Sequence, residues 1–529
     1  LAKELLRESR RGFAGGLNTV KPPDGLAANE LFYAYNARVV ERIGPGFSIV
    51  QGDPGLTGGV TIRPGTRKLH PTVLESGATV NGVYQWTNQS GNLEVVAICN
   101  GKLHHKTTAW GDFTTVSSPT GFSTTEPTIF QPMRTTSAAG KVVLYMASGG
   151  KYFSWNGTTL TDLTGSDENF SLIAQYHTRM FGVRADELKK LVWGVVGDAT
   201  DFTVSGPTDG GEALVSTVSG ETITSINTVG GSLLIFTEDA IHRFTGYSSD
   251  DIQLAQDTEG VSSQIGLVNP QAIAVAGTVA FIITDRGPYA VSEAGVQDLG
   301  EKIFNVFVRA RRDYISRWLV GYNRSMGEIW FVMGDEASAD VDDIYVYNIR
   351  LDCWYGPWVI GGGTGSEMYC ISRYEDSTGA EYLMGGFDDG FVRHLESGIT
   401  LNSAAADGSG GSTLLAYAEP APFFFETGPG MEKALEQLVV HGDFRVDGSV
   451  DSQVWIVDNN TDAWTAYDIT GATPAVGGTT RQFVRPYRVD VGGNGGRFKM
   501  RFVLKAQASI PSTLVGVDAY AYDMQRRTF

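Results

Sequence analysis

The chain has 529 residues, 42% of them hydrophobic and 19% charged, with 66 glycines and 11% aromatics. That composition excludes a disordered or fibrous protein and predicts two to four domains, or one large repeat domain with a satellite. The net charge of -18 excludes nucleic-acid binding through a generally basic surface, although an acidic wall suits a channel through which a duplex slides without being gripped by its phosphates.

Cys99, Cys353 and Cys370 form no disulfide framework. Each sits in an apolar or aromatic run and reads as a small buried hydrophobe, which fits maturation in a reducing cytoplasm. The longest apolar run, Ala272 to Thr284, is too short to span a bilayer, and no signal-peptide pattern is visible from Leu1 onward.

In chain order, residues 1–34 read as an N-terminal arm. "LAKELLRESRR" is a helix candidate that sets Lys3, Arg7, Arg10 and Arg11 against Glu4 and Glu8. "GFAGGLNTVKPPDGLAANELFYAYNARVVERIGPGF" follows from Gly12, with glycine and proline pairs but no metal or nucleophile pattern. A hairpin then recurs: "LEVVAICNGKLHHKT", "VVLYMASGGKYFSWNG", "LLIFTEDAIHRFTG", "VAFIITDRGPYAVSEAG" and "EYLMGGFDDGFVRHLESG". Two looser copies are "KLVWGVVGDATDFT" and "EIWFVMGDEASADVDDIYVYN". Their turns fall near Gly101, Gly150, Gly197, Ala240, Gly287, Ser338 and Gly390.

A period of roughly 48 residues suits a four-stranded propeller blade. An isolated hairpin is marginal, whereas blades packed face to face bury each other's apolar residues. The expectation is an all-β chain: a β-propeller over residues 35–400 with seven blades, or six if the terminal copy belongs elsewhere. The strand "YNARVVERIG", Tyr35 to Gly44, is expected to close the ring. "KIFNVFVRARRDYIS" is the other helix candidate, burying Ile303, Phe304, Phe307 and Val308 on one stripe. Residues 401–413 read as a flexible linker, and 414–529 as an antiparallel β-sandwich.

Catalytic patterns are absent: no HExxH, CxxC, GxSxG or P-loop occurs. His104 and His105 fall on one strand and point to opposite faces, so they read as an exposed polar pair. The acidic runs at Asp250, Asp340, Asp388 and Asp458 could hold a cation through carboxylates or form solvated turns. No enzyme activity, cofactor or metal is expected. The tryptophans read as core residues, although aromatic and carboxylate groups on a propeller leave open a glycan-binding or glycan-cleaving role. Arg481 to Lys505 carries seven basic residues against Asp490 alone. Alternation puts several on one sheet face, either a solvated face or a docking patch for an acidic neighbour.

The opening stretch resembles the start of tail nozzle, or packaged-DNA-stabilising, proteins of short-tailed phages. The resemblance is carried by Gly15-Gly16-Leu17-Asn18-Thr19, Asn29-Glu30, Asn36-Ala37-Arg38 and Arg42-Ile43-Gly44. It continues in His177, Arg179, Phe181, Trp193, Gly197-Asp198 and Asp201-Phe202, and covers roughly residues 12 to 400. "ERIGPGF" departs from the pattern in its proline-rich turn. The resemblance implies a non-enzymatic virion protein made in the host cytoplasm. It implies a six-fold ring below the portal and its adaptor, joined to fibre or distal tail proteins, through which packaged DNA is retained and later released. Lys3, Arg7, Arg10, Arg11, Arg485, Arg488, Arg497 and Arg501 are then the expected docking residues.

Overall fold

A computed structural model describes residues 5–40, 59–107, 111–136, 138, 140–165, 168–204, 209–215, 221–247, 252–255, 260–334, 341–360, 367–397, 415–424, 433–443, 445–446, 452–458, 464–469, 473–474, 485–495, 498–507, 510–511 and 513–523. Seven four-stranded antiparallel sheets follow one another as propeller blades. Blade 1 runs from Val80–Thr87 to Thr114–Val116, blade 2 from Ile129–Arg134 to Leu160–Asp162, and blade 3 from Phe170–Tyr176 to Gly211–Leu214. Blade 4 runs from Ser225–Val229 to Gln253–Ala255, blade 5 from Ile273–Ala276 to Gly295–Asp298, and blade 6 from Leu319–Asn323 to Cys353–Val359. Blade 7 takes three strands from Met368–Glu375, Glu381–Phe387 and Val392–Ser397, and its fourth from Gly65–Lys68. Seven blades, not six, is the count.

Strands buried on both faces explain the near-continuous apolar runs. In Leu93–Cys99, Val95, Ala97 and Cys99 pack toward blade 7, while Val96 and Ile98 pack toward blade 2. Similar clusters join blades 2 and 3, and blades 3 and 4. All three cysteines are buried and unbridged, and burial pushes each thiol up to about 12.

The ring is not closed by the expected strand. Ala37–Val40 pairs with Gly59–Ile62, while Gly65–Lys68 pairs with Val392–Ser397. Strand alternation alone cannot choose between two short polar-apolar segments; the choice falls to the one whose partner edge is free. The described strands before residue 63 therefore belong to the sandwich. Leu5–Arg11 is a strand rather than a helix, pairing antiparallel with Thr513–Asp523. One sandwich sheet holds Leu5–Arg11, Ala37–Val40, Gly59–Ile62, Lys433–Asp443, Arg485–Gly495 and Thr513–Asp523. The other holds Gly16–Leu17, Glu30–Tyr33, Leu415–Pro420, Gln453–Asp458, Thr465–Asp468, Phe498–Gln507 and Ile510–Pro511. Both ends of the chain thus build one domain. The linker expected at 401–413 lies outside the described residues.

Three further expectations change. The repeat copy around Gly197 is out of phase: the matching turn of blade 3 lies between Arg179–Arg184 and Lys190–Trp193. The helix at Lys302 is shorter, Phe304–Arg309, flanked by 3-10 turns. It buries Ile303 and Phe307 but leaves Phe304 56% and Val308 55% exposed. The histidine pair is not exposed: His104 is buried, and His105 lies 2.9 Å from buried Glu94. Among the described residues, no helix is long and apolar enough to cross a membrane.

Candidate functional site: the junction of propeller and sandwich

One apolar core runs unbroken from Phe13, Leu17 and Leu31 through blades 5 and 6 into Leu438 and Val517 of the sandwich. The sandwich lies against the outermost strand of blade 6, where Ala34 bridges Gly356. That strand edge would otherwise present unpaired backbone groups.

The arm reaches this edge through residues whose backbone demands them. Gly16 has φ +66, and a Cβ there would stand 2.5 Å from the Trp354 carbonyl oxygen. Asn36, at φ 50, uses a conformation that asparagine tolerates better than most residues. Its Oδ1 accepts from Arg63 Nε at 2.9 Å and from the Val359 amide at 3.0 Å. Arg63 also donates to the carbonyls of Pro64 and Val359. Asn18 accepts from the amides of Val20 and Lys21 and donates to Glu30. Burial pushes the Glu30 carboxyl up, but the Ala27 amide, Asn18 and Lys21 outweigh it and hold it below its ordinary value.

Behind this seam lies a buried charge cluster. Arg38, from the sandwich, donates to Glu328 of blade 6 at 2.6 Å and to Glu396 of blade 7. Glu328 also accepts from Tyr355 Oη at 2.5 Å and Trp330 Nε1 at 3.2 Å. Asn323 donates to Glu396, and Trp358 donates to the Ala37 carbonyl at 2.8 Å. Burial works against the Arg38 charge, but the two carboxylates overcome it and raise its pKa. Burial raises Glu396 despite Arg38. The cluster ties three elements together and presents no open position for a substrate. The sequence did carry a signal for it: single charges inside the apolar strands "NARVV" and "EIWFVM" must be paired if buried.

Beside the seam, a cleft of about 480 Å³ opens between arm, helix and blade 6. Its walls include Leu17, Phe32, Tyr33, Val306, Met333, Tyr345 and Pro357, with Asn305, Arg309 and Asp343 as polar groups.

The expected docking residues are scattered. Arg10 is buried, paired with Glu8, donating to the Ala421 and Pro422 carbonyls and stacked 4.7 Å from the Phe423 ring. Arg501 pairs with Glu419 and sits over Tyr33, Tyr417 and Trp464. Arg7 pairs with Asp518 at 2.9 Å but stays half exposed. Arg11, Arg485 and Arg488 lie on sandwich strands, while Lys3 and Arg497 lie outside the described residues. Of the acidic runs, Asp343 is a buried strand residue rather than a solvated turn, and Asp389 pairs with Arg393. Asp250 and Asp340 lie outside the described residues. Among the described residues no group of three or more His, Cys, Asp or Glu could hold a metal. Trp86, Trp155, Trp193, Trp318, Trp330, Trp354 and Trp358 are all buried.

No family model and no curated protein matches the chain. Solved structures similar to it share little sequence with it and include propeller and WD40 domains. The extracellular domain of BT4673 from B. thetaiotaomicron shares 11% identity, with TM-score 0.41, over 63% of this chain and 40% of that one. The Cps50 (Swd1) β-propeller domain of Myceliophteria thermophila shares 12%, with TM-score 0.36, over 62% and 99%. The Neurospora crassa Pan2 WD40 domain shares 9%, with TM-score 0.37, over 64% and 97%. The chain is an all-β propeller protein on its own strand topology.

Proposed function

We propose that this chain is a structural virion protein, a tail nozzle or hub ring of a short-tailed phage. In this reading it lines part of the DNA exit channel, retains the packaged genome and links the portal-adaptor complex to distal tail parts. One observation carries the reading. Three residues of the opening stretch that resemble the nozzle family, Gly16, Asn36 and Arg38, meet blade 6 where the sandwich joins it, and a fourth, Asn18, braces the arm itself through Glu30. The middle motif is structural too: buried Arg179 donates to the carbonyls of Gly194 and Asp209. A motif spent on joining two domains, without a reaction centre, fits a rigid building block. The acidic balance of the chain fits a conduit that does not grip DNA.

The chain needs no cofactor in this role, acts without enzymatic chemistry and forms a closed head-to-tail ring, six-fold by resemblance. Half-exposed Arg7 and the basic sandwich strands are contacts to neighbouring tail proteins. Electron microscopy of the assembled particle tests the reading: six copies of this chain should encircle the tail axis. A location off the axis overturns it.

A second reading, a glycan-binding or glycan-cleaving part of a receptor-recognition apparatus, has the cleft in its favour, where Phe32, Tyr33 and Tyr345 meet Asp343. The burial of the seven described propeller tryptophans counts against it. Release of sugar fragments from host polysaccharide by the purified chain would replace the first reading with the second.

A further inference from the structure

Phe304 and Val308 are large apolar side chains standing out of a helix, each more than half exposed. Isolated exposed apolar residues need no explanation, but these come with charge. From Lys302 to Arg317 the chain carries five basic residues against Asp313. Lys302 donates to the Asp352 carbonyl, and Arg311 and Arg317 pair with Asp313 and Glu367. Arg309 and Arg312 are exposed, and among the described residues their side chains have no hydrogen-bond or ion-pair partner. The knob is therefore apolar at its tip and basic along its flank. Its base is fixed, because Thr19 donates to the Lys302 carbonyl at 2.9 Å and Asn305 donates to the Thr19 carbonyl.

The complementary surface lies on blades 3 and 4. A shallow groove of about 380 Å³ runs past Leu188 and Leu214, which are 37% and 62% exposed. Arg184 and Lys190 spend their charge on Asp186, Glu187 and Glu212. Glu221, Glu238 and Asp239 then outnumber the exposed Lys189. The Ile223 amide donates to the Leu188 carbonyl, and Glu221 accepts from the Asp239 amide, so these acids border the groove.

Topology puts both surfaces on one face of the propeller. In an antiparallel four-stranded blade, the turn between strands two and three shares an end with the connection to the next blade. The knob is the connection from blade 5 to blade 6, and the groove is built from a two-three turn and the connection from blade 3 to blade 4. The surfaces differ in sequence and position, so a contact between them is head-to-tail and propagates from copy to copy.

We propose that the 304–312 knob of one copy docks in the blade 3–4 groove of a second copy. Phe304 and Val308 lie against Leu188 and Leu214, and Arg309 and Arg312 face Glu238 and Asp239. This deepens the ring proposed above and rests on that reading only for the number of copies.

Sedimentation equilibrium of the full chain tests the contact. The wild type should self-associate, and R309E/R312E should weaken association at least about tenfold. Combining R309E/R312E with E238R/D239R should restore it. Circular dichroism establishes that each variant is folded. V308C on one copy and L214C on another should form an intermolecular disulfide under oxidation, as the native cysteines are buried. A wild type monomeric up to the highest soluble concentration, or failure of the charge swap to restore association, overturns the contact. A six-fold ring cross-linked elsewhere overturns the contact and keeps the ring, whereas a 308–214 link in an assembly of another size keeps the contact and overturns the ring.

Discussion

Arg38 concentrates the logic of the junction. It is 8% exposed and shared by two carboxylates, Glu328 and Glu396, that are at least as inaccessible. Arg38→Ala removes the compensation and leaves two buried acids facing each other. It should cost about 3–5 kcal/mol, measured by urea denaturation, with a new protease-sensitive site between propeller and sandwich. An unchanged denaturation midpoint would show that the cluster contributes nothing net. Gly16→Ala meets both a left-handed backbone and a carbonyl oxygen at 2.5 Å. Its expected cost is roughly 1–3 kcal/mol, seen as earlier cleavage within residues 12–30 in limited proteolysis.

His70 gives a pH dependence with a definite sign. Its Nε2 accepts from the Val392 amide at 2.9 Å, and its Nδ1 meets the Thr72 carbonyl at 2.6 Å. Only the neutral ring can do both. Burial lowers its pKa to about 4, and burial does the same for His394. The folded state thus binds fewer protons than the unfolded chain between the unfolded value near 6.5 and about 4. Stability from these histidines is fully present above that window and is lost as pH falls through it. Thermal melts from pH 7.5 to 4 should show the decline, and His70→Gln should flatten part of it. Melts of equal slope for both proteins would remove His70 from the account.

At the scale of elements, the closing strand decides whether seven blades behave as one unit. Gly65–Lys68 pairs with Val392–Ser397, and the Leu69 amide continues the ladder to Val392. Deleting residues 65–70 should open the ring, split thermal unfolding into separable steps and expose blade 7 amides to hydrogen exchange. Deleting residues 1–62 leaves every blade with four strands, so the propeller should stay closed while the sandwich loses five of its strands. If the shorter chain loses its propeller as well, the ring depends on the sandwich and not on the closing strand.

Several blades were legible in sequence because their hairpins hold a turn residue that the backbone requires. Gly101, Gly150, Gly287 and Gly390 all take positive φ, where a side chain is strained. Blade 3 slipped in register because its turn, Asp186–Lys189, holds no glycine, and the nearest glycine signal came from Gly197. The knob was misjudged for a different reason. Helical spacing marks Phe304 and Val308 as apolar but does not say which side of a six-residue helix meets the core.

For the whole molecule, sequence by itself determined the fold class, the blade number within one, the existence of a second β domain and the burial of the cysteines. These follow from local quantities: turn residues, alternation and apolar runs, each readable within about ten residues. The tertiary structure alone decided which N-terminal segment closes the ring, that the described strands before residue 63 belong to the C-terminal domain, and that Arg38, Glu328 and Glu396 meet. Arg38 meets its two carboxylates from 290 and 358 positions away. Many short strands offer edges of equal local merit, and the pairing is fixed only when all seven blades and both sheets compete for the same partners at once.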